Sequence, residues 1–300
     1  MDSSSLTFAP PTLADASWVQ ALTRQAVSSD LAFANIFLLQ EKYKTTIAYA
    51  KGFLFRHFAG GNRLSGYAFP CGNGNIREAI DMICSDAAAH QRSLQFCLLT
   101  SDQKKSLEEL LPGQFTYALD RGDADYLYSH TQLAELPGTL FHAKRNHIAQ
   151  FERANPNWQF KLLNDETAQD ALYVAHGWLH GIADAPPALQ HEYKAIKNAL
   201  EHLDELALFG GVLYVDNTPI SMSIGSYISP KVADIHYEKC LPEWKKAYPL
   251  INREMARQLH KCDLINREED LNQPGLRQAK LSYHPILIHE KYSAVPSSVC

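Results

Sequence analysis

"VADIHYEKCLPEWKKAYPLINREMARQLHK", Val232 to Lys261, reads as a strand, a break and a helix. In an extended Val232–Cys240, alternation puts His236 and Glu238 on one face. Over Pro249–His260, the apolar Ile251, Met255 and Leu259 recur at helical spacing, with Arg253, Arg257 and Lys261 on the opposite side. Leu264–Asn266 then resumes as a buried strand. In front of this unit, Leu208–Val215 and Ile220–Tyr227 read as antiparallel strands. Meander strands followed by helices alternating with strands make an α+β order with a mixed sheet.

The pattern extends outward from there. Leu140–Ala154, Glu166–Leu179 and Leu189–Leu206 read as helices around a strand at Phe160–Leu163. Gly275–Leu281 is a further helix, and Ile286–His289 a last strand. The first half runs in similar order. A loose tail through Pro11 and helices at Leu13–Gln25 and Asp30–Lys42 precede strands at Thr45–Ala50, Phe53–Phe58 and Leu64–Phe69, with a turn at Gly60-Gly61-Asn62. Asn75–Ala89 is a helix, Leu94–Leu99 a strand, Lys104–Leu111 a helix, and Phe115–Leu119 and Tyr126–Tyr128 are strands. Two similar domains, 1–125 and 126–300, meet near Gly122–Leu136. They repeat in element order and not in residues.

The totals fit that size. The chain has 300 residues, 46% of them hydrophobic, enough for two cores. A formal net charge of −5 argues against a wide nucleic-acid-coating face and leaves room for a local basic groove. The 6 cysteines make no C-x-x-C pair and read as reduced thiols of a cytoplasmic protein. The start, MDSSSLTFAPP, is no secretory signal. No apolar run reaches the roughly 18 residues of a membrane helix.

Three stretches carry candidate chemistry. In "GTLFHAKRNHIAQFERANP" Lys144 falls in the middle of the face defined by Phe141, Ile148 and Phe151. It must reach solvent or find a partner, for which a glutamate of the later acidic loop is one candidate. Lys144, Arg145 and His147 read either as an anion-binding edge or as an ordinary helix border. His236 and Glu238 can take a proton from an amine or hydroxyl, or can line a wet strand edge. Tyr237 lies between them. Arg253 and Arg257 can track phosphates or can be solvated surface. In "INREEDLNQPGLRQAKLSYHP" the charges of Arg267, Glu268, Glu269 and Asp270 stand at the exit of a strand, where ligands of open sheets gather. With Lys280 they read as a substrate clamp or as an ion-pair network. Tyr283 and His284 follow as candidate proton donors. Two weaker signals remain. "FPCGNGNIREAI" offers a glycine loop before a helix, a phosphate cradle or a plain turn. "HGWLH" spaces His176 and His180 by one helical turn, without the glutamate or third ligand of a zinc motif, so no metal is expected.

"FHAKRNHIAQF", "IHYEK" and "INREEDLNQPGLRQAKLSYHP" together resemble a bacterial family related to the C-terminal domain of lysylphosphatidylglycerol synthase. "SDLAFANIFLLQEKYKTTIAYAKGFLF" and "FPCGNGNIREAI" look like its first half. The resemblance implies two tandem acyl-CoA N-acyltransferase-like domains with mixed central sheets flanked by helices, of the GCN5-related type. It implies a transferase whose relatives move aminoacyl groups from tRNA. Lys144, Arg145, Asn146, His147, His236, Tyr237, Glu238, Arg267, Glu268, Glu269, Asp270, Lys280, Tyr283 and His284 match signature positions.

The expected function is acyl transfer from aminoacyl-tRNA to an amine or hydroxyl of a small-molecule, peptide or lipid acceptor, with the site in the second domain facing the first. Catalysis is expected from His236, Glu238 and Tyr283, phosphate contacts from Arg253 and Arg257, and no tightly bound cofactor. One alternative is an acetyl-CoA-dependent N-acetyltransferase. Against it, Leu241–Ala247 replaces the R/Q-x-x-G-x-G/A loop of coenzyme A users. The other alternative is a non-catalytic binding or regulatory module, marked by a stable partner and no turnover.

Overall fold

The computed structural model describes residues 5–60 and 65–297. Met1–Ser4, the Gly61-Asn62 part of the expected turn, Leu64 of the expected third strand, and Cys300 lie outside the described residues. In chain order the strands are β1 (Thr46–Ala50), β2 (Phe53–Phe58), β3 (Gly66–Tyr67), β4 (Cys71–Gly72), β5 (Phe96–Leu99), β6 (Phe115–Leu119), β7 (Asp125–Ser129), β8 (Trp158–Leu162), β9 (Phe209–Val215), β10 (Thr218–Ser229), β11 (Val232–Cys240), β12 (Leu264–Asn266), β13 (Leu287–His289) and β14 (Tyr292–Pro296).

The chain divides into two compact units. One takes its described residues from Met1–Asp125, Glu269–Leu276 and Ile288–Cys300; the other comprises Tyr126–Glu268 and Arg277–Leu287. The expected second domain, 126–300, is corrected at its far end. The physical reason is β14, a strand that the sequence reading did not foresee: it hydrogen-bonds between β5 and β6 and closes the first sheet.

The first unit's sheet runs β1-β2-β3-β5-β14-β6, with β4 also on β2. β3 and β5 are parallel and the other recorded pairs antiparallel. β2 is buried on both faces, with Arg56 and His57 buried among its four apolar residues. The helix Ile76–Ala89 lays Ile80, Ile83 and Ala87 on this sheet's core. Each buried isoleucine stabilises by about 1.5–3 kcal/mol. The N-terminal tail is less loose than expected: Leu6 is buried and Ala9 bridges Ile47. The second expected helix is broken into Phe33–Leu38 and Gln40–Tyr43 after a short 3-10 turn.

The second unit's sheet runs β13-β7-β12-β11-β10-β9-β8. β11 and β12 are parallel, as the helix between them requires. That helix, Tyr248–Gln258, buries Leu250, Ile251 and Met255, and stops before Lys261, which therefore leaves the expected basic stripe. Helix Asp165–His180 starts on a capping box from Asn164 and Thr167 and packs on β10 and β11. Shifts of register at Ile224/Gly225 and Tyr227/Ser229 re-aim β10 against β11. Gly225 makes the close approach possible, since a Cβ there would lie 2.2 Å from the Asp234 carbonyl oxygen.

Candidate functional site

β11 places Asp234, His236 and Glu238 on one face, as alternation dictates, and Tyr237 on the other, where it is buried. The His236 side chain is 0% exposed. Its Nε2 meets Ser226 Oγ at 2.8 Å, and its Nδ1 lies 3.0 Å from Glu268 Oε1 and 3.5 Å from Asp234 Oδ2. Both ring nitrogens thus face protein groups, and the expected open general-base position of His236 gives way to an interior one.

Glu238 has a different neighbourhood. Its Oε1 accepts from Arg267 Nη2 at 2.9 Å, and Asn252 Nδ2 lies 3.4 Å from its other oxygen. Arg267 in turn stands over the rings of Tyr283, at 5.0 Å, and Tyr128, at 5.8 Å. A guanidinium between aromatic faces and one carboxylate is fixed in both position and charge.

Lys144 completes the group. Its helix, His142–Ala154, buries Ile148 and Phe151, so the ammonium is drawn inward as the helical spacing predicts. The expected glutamate partner is replaced by an aromatic face and a hydroxyl. Nζ sits 3.9 Å from the Tyr283 ring centroid and donates to Ser282 Oγ at 2.7 Å. Burial first, and the Arg267 charge second, lower its pKa to about 8. Burial raises the Tyr283 hydroxyl above the ordinary phenol value, so this side chain keeps its proton and is a weak acid.

The remaining predicted residues separate by role. Arg145 donates to the carbonyls of Leu136 and Gly138, at 2.7 Å for the second, and so closes the end of a short helix, His130–Glu135. His147 is exposed. Lys280 donates to the carbonyl oxygens of Arg267 and Glu268, at 3.0 Å for the latter, and fixes the loop after β12. Asp270 belongs to the first unit, where it is fully buried against Arg121 Nη1 at 3.2 Å and accepts from Asn272 N–H. Glu269 is in that unit too and adds to the field at Lys291. The expected four-charge clamp is therefore divided, with Arg267 and Glu268 in the second unit. Arg253 is held by Glu152 and Glu254, each at 2.7 Å, and Arg257 by Glu254 at 3.0 Å. Carboxylates neutralise the pair that was expected to meet phosphate.

The glycine loop is a turn. A Cβ on Gly72 would lie 2.1 Å from the Gly52 carbonyl oxygen, and the Asn75 side chain already accepts from Arg77 and Glu78 N–H. Among the residues the sequence reading missed, Asp234 was legible, two positions before His236 in the same strand. Ser226 was not, because an extra residue in β11, His236, shifts the register and brings Ser226 opposite Asp234.

A family model described as phosphatidylglycerol lysyltransferase, C-terminal, matches residues 22–295. Among solved structures, a conserved protein of unknown function from Bacteroides thetaiotaomicron VPI-5482 is 33% identical, with a TM-score of 0.93, over 97% of this chain and 100% of that chain. L-PGS from Bacillus licheniformis is 13% identical, with a TM-score of 0.68, over 97% and 93%. A C-terminal domain (DUF2156) from Agrobacterium fabrum is 13% identical, with a TM-score of 0.67, over 95% and 92%. The last two show likeness of fold alone. No curated protein matches the chain. With one mixed sheet and flanking helices in each unit, the fold is the α+β one of two tandem units that the resemblance implied, shared with the C-terminal domain from Agrobacterium fabrum. No helix among the described residues is long and apolar enough to cross a membrane.

Proposed function

Because this chain belongs to the family of phosphatidylglycerol lysyltransferase C-terminal domains, we propose that it is a transferase moving an aminoacyl group from aminoacyl-tRNA to an amine or hydroxyl acceptor. The family match over residues 22–295 is the observation that carries this reading. The cluster of Lys144, Arg267, Glu238 and Tyr283 supplies it with a mechanism. Lys144, in its neutral form, takes the proton of the attacking amine or hydroxyl. The freed lone pair forms the new bond to the ester carbonyl carbon, and the bond to the ribose oxygen breaks. Lys144 returns its proton to that oxygen. Arg267, held still by Glu238, faces the negative charge that develops on the carbonyl oxygen. A base with a pKa of about 8 makes the rate climb as pH rises through that value. The segment Pro242–Ala247 supports this reading over coenzyme A use, since it winds into a 3-10 helix where a glycine-rich phosphate loop would be needed.

The test is accelerated loss of radiolabelled amino acid from bulk aminoacyl-tRNA, with phosphatidylglycerol vesicles and free amines as acceptors. Lys144→Met should lower the rate by roughly 10²–10⁴-fold and flatten its rise near pH 8. Turnover of acetyl-CoA with no loss from any aminoacyl-tRNA would replace this reading by the acetyltransferase. Absence of both would leave a binding module.

A further inference from the structure

Asp234, His236 and Glu268 bring one ligand atom each within 4.8 Å of one another. We propose that these three side chains form a binding site for one divalent transition cation, with zinc as the reference ion, between β11 and the loop that follows β12.

Distances come first. Two ligands each about 2.1 Å from a tetrahedral zinc lie roughly 3.4 Å apart. His236 Nδ1 is 3.5 Å from Asp234 Oδ2 and 3.0 Å from Glu268 Oε1. These two spacings are within a few tenths of an ångström of that value, and the two carboxylate oxygens, within 4.8 Å of each other, close on the cation by side-chain rotation.

Charge comes second. Two carboxylates share one imidazole nitrogen, and the Asp234 and His236 side chains are both 0% exposed. The single N–H of Nδ1 can serve one carboxylate well; a cation in its place serves both. With a cation on Nδ1 the ring's single proton sits on Nε2, where it is donated to Ser226 Oγ, already 2.8 Å away. A hydrogen bond on the far ring nitrogen is what orients a metal-ligating histidine.

The backbone is set for this aim. Glu268 is held at φ 56, an uncommon conformation for a residue with a side chain. Three bonds hold it there: its own N–H to Asn266 Oδ1 at 2.7 Å, Tyr126 N–H to its carbonyl, and the Lys280 ammonium on the same carbonyl. The result turns the carboxylate toward His236. At 21% exposure the Glu268 side chain also gives an entry path from solvent. One imidazole with two carboxylates selects zinc or manganese over magnesium and calcium, which prefer all-oxygen shells. Three protein ligands leave a fourth position open. Arg267 and Glu238 lie one and two residues from the ligands, so the cation would steady the Arg267–Glu238 pair without touching it.

The experiment is calorimetric titration of ZnCl2 into the metal-stripped full chain. A parallel Co2+ titration is followed by visible absorption. The site predicts one Zn2+ per chain and a low-symmetry Co2+ band. Glu268→Gln should weaken Zn2+ binding at least 10-fold while the far-ultraviolet dichroism stays unchanged. His236→Gln should abolish the Co2+ band. The rival is the histidine pair His176 and His180, whose ring centroids are 4.1 Å apart. Binding that survives Glu268→Gln and disappears with His176→Ala overturns the proposal, as does no binding to the wild-type chain. If His236→Gln fails to fold, Glu268→Gln and the wild-type Co2+ spectrum still decide.

Discussion

Two lysines, one in each unit, lie away from water and end up with opposite properties. Lys291 of the first unit is 1% exposed; it donates to Ser28 and to Asp30 Oδ1, and Asp125 Oδ2 is 3.4 Å away. Burial works against its charge, but Asp125 and Asp30 outweigh burial and raise its pKa. Lys144 of the second unit has a ring and a hydroxyl for company and a guanidinium nearby, and its pKa falls to about 8. Burial alone does not decide what a lysine does. A lysine paired with carboxylates is locked as a cation and holds structure together. One that meets only aromatic and neutral groups is poised to exchange a proton.

The largest expected effect breaks the first half of this comparison. Lys291→Met leaves Asp125 buried without its lysine and Asp30 with Arg56 alone, and should cost about 3–5 kcal/mol in denaturant unfolding. Asp30 adds a pH signature. Burial opposes its charge, yet Lys291 and Arg56 hold its pKa far below the usual carboxylate range. A depressed carboxylate stabilises above its unfolded value of about 3.9, and that stability is lost as pH falls further. The wild-type chain should therefore lose stability below about pH 4 more steeply than the variant. An unchanged acid profile would mean that the Lys291 network is not a main source of first-unit stability.

A smaller effect tests whether the second unit's sheet can be disturbed without touching either lysine. Gly225→Val drives a side chain against the Asp234 carbonyl and the Phe209 ring. It should cost about 1–3 kcal/mol by thermal unfolding. A neutral result would mean that the β10 shift relaxes easily.

The smallest effect on stability is expected at Lys144. Lys144→Met removes a cation–π contact of about 0.5–1 kcal/mol together with the penalty of a half-buried charge, so the two nearly cancel at pH 7. The sign of the pH dependence is then diagnostic. Between about pH 8 and the unfolded value of about 10.4, the unfolded chain binds more protons at this site than the folded one. Wild-type stability should rise relative to the variant across that window. Parallel curves would show a fully charged lysine and remove it as the base.

Much of this was legible in residue order. The 3.6-residue spacing of Phe141, Ile148 and Phe151 put Lys144 on a buried face, and period-two alternation put His236 beside Glu238. Arg253 and Arg257 were legible as a stripe with Glu254 between them, but the second carboxylate was not, because Glu152 comes from another helix. The clamp at 267–270 read as one object, since neighbours in sequence are easily taken for neighbours in function. The fold divides it after Glu268.

The sequence by itself determined most of the element order, with Tyr292–Pro296 the missing strand, the faces that turn inward and the family. Those follow from local periodicity and from long motifs, which survive without knowledge of the rest of the chain. Only the tertiary structure decided which partner each inward charge meets. It inserted Tyr292–Pro296 between β5 and β6, set Ser226 opposite Asp234 through a one-residue shift, and gave Lys291 two aspartates and Lys144 none but a ring and a hydroxyl. Such pairings join residues far apart in the chain. Their energies depend on register and burial, quantities that no local pattern of residues encodes.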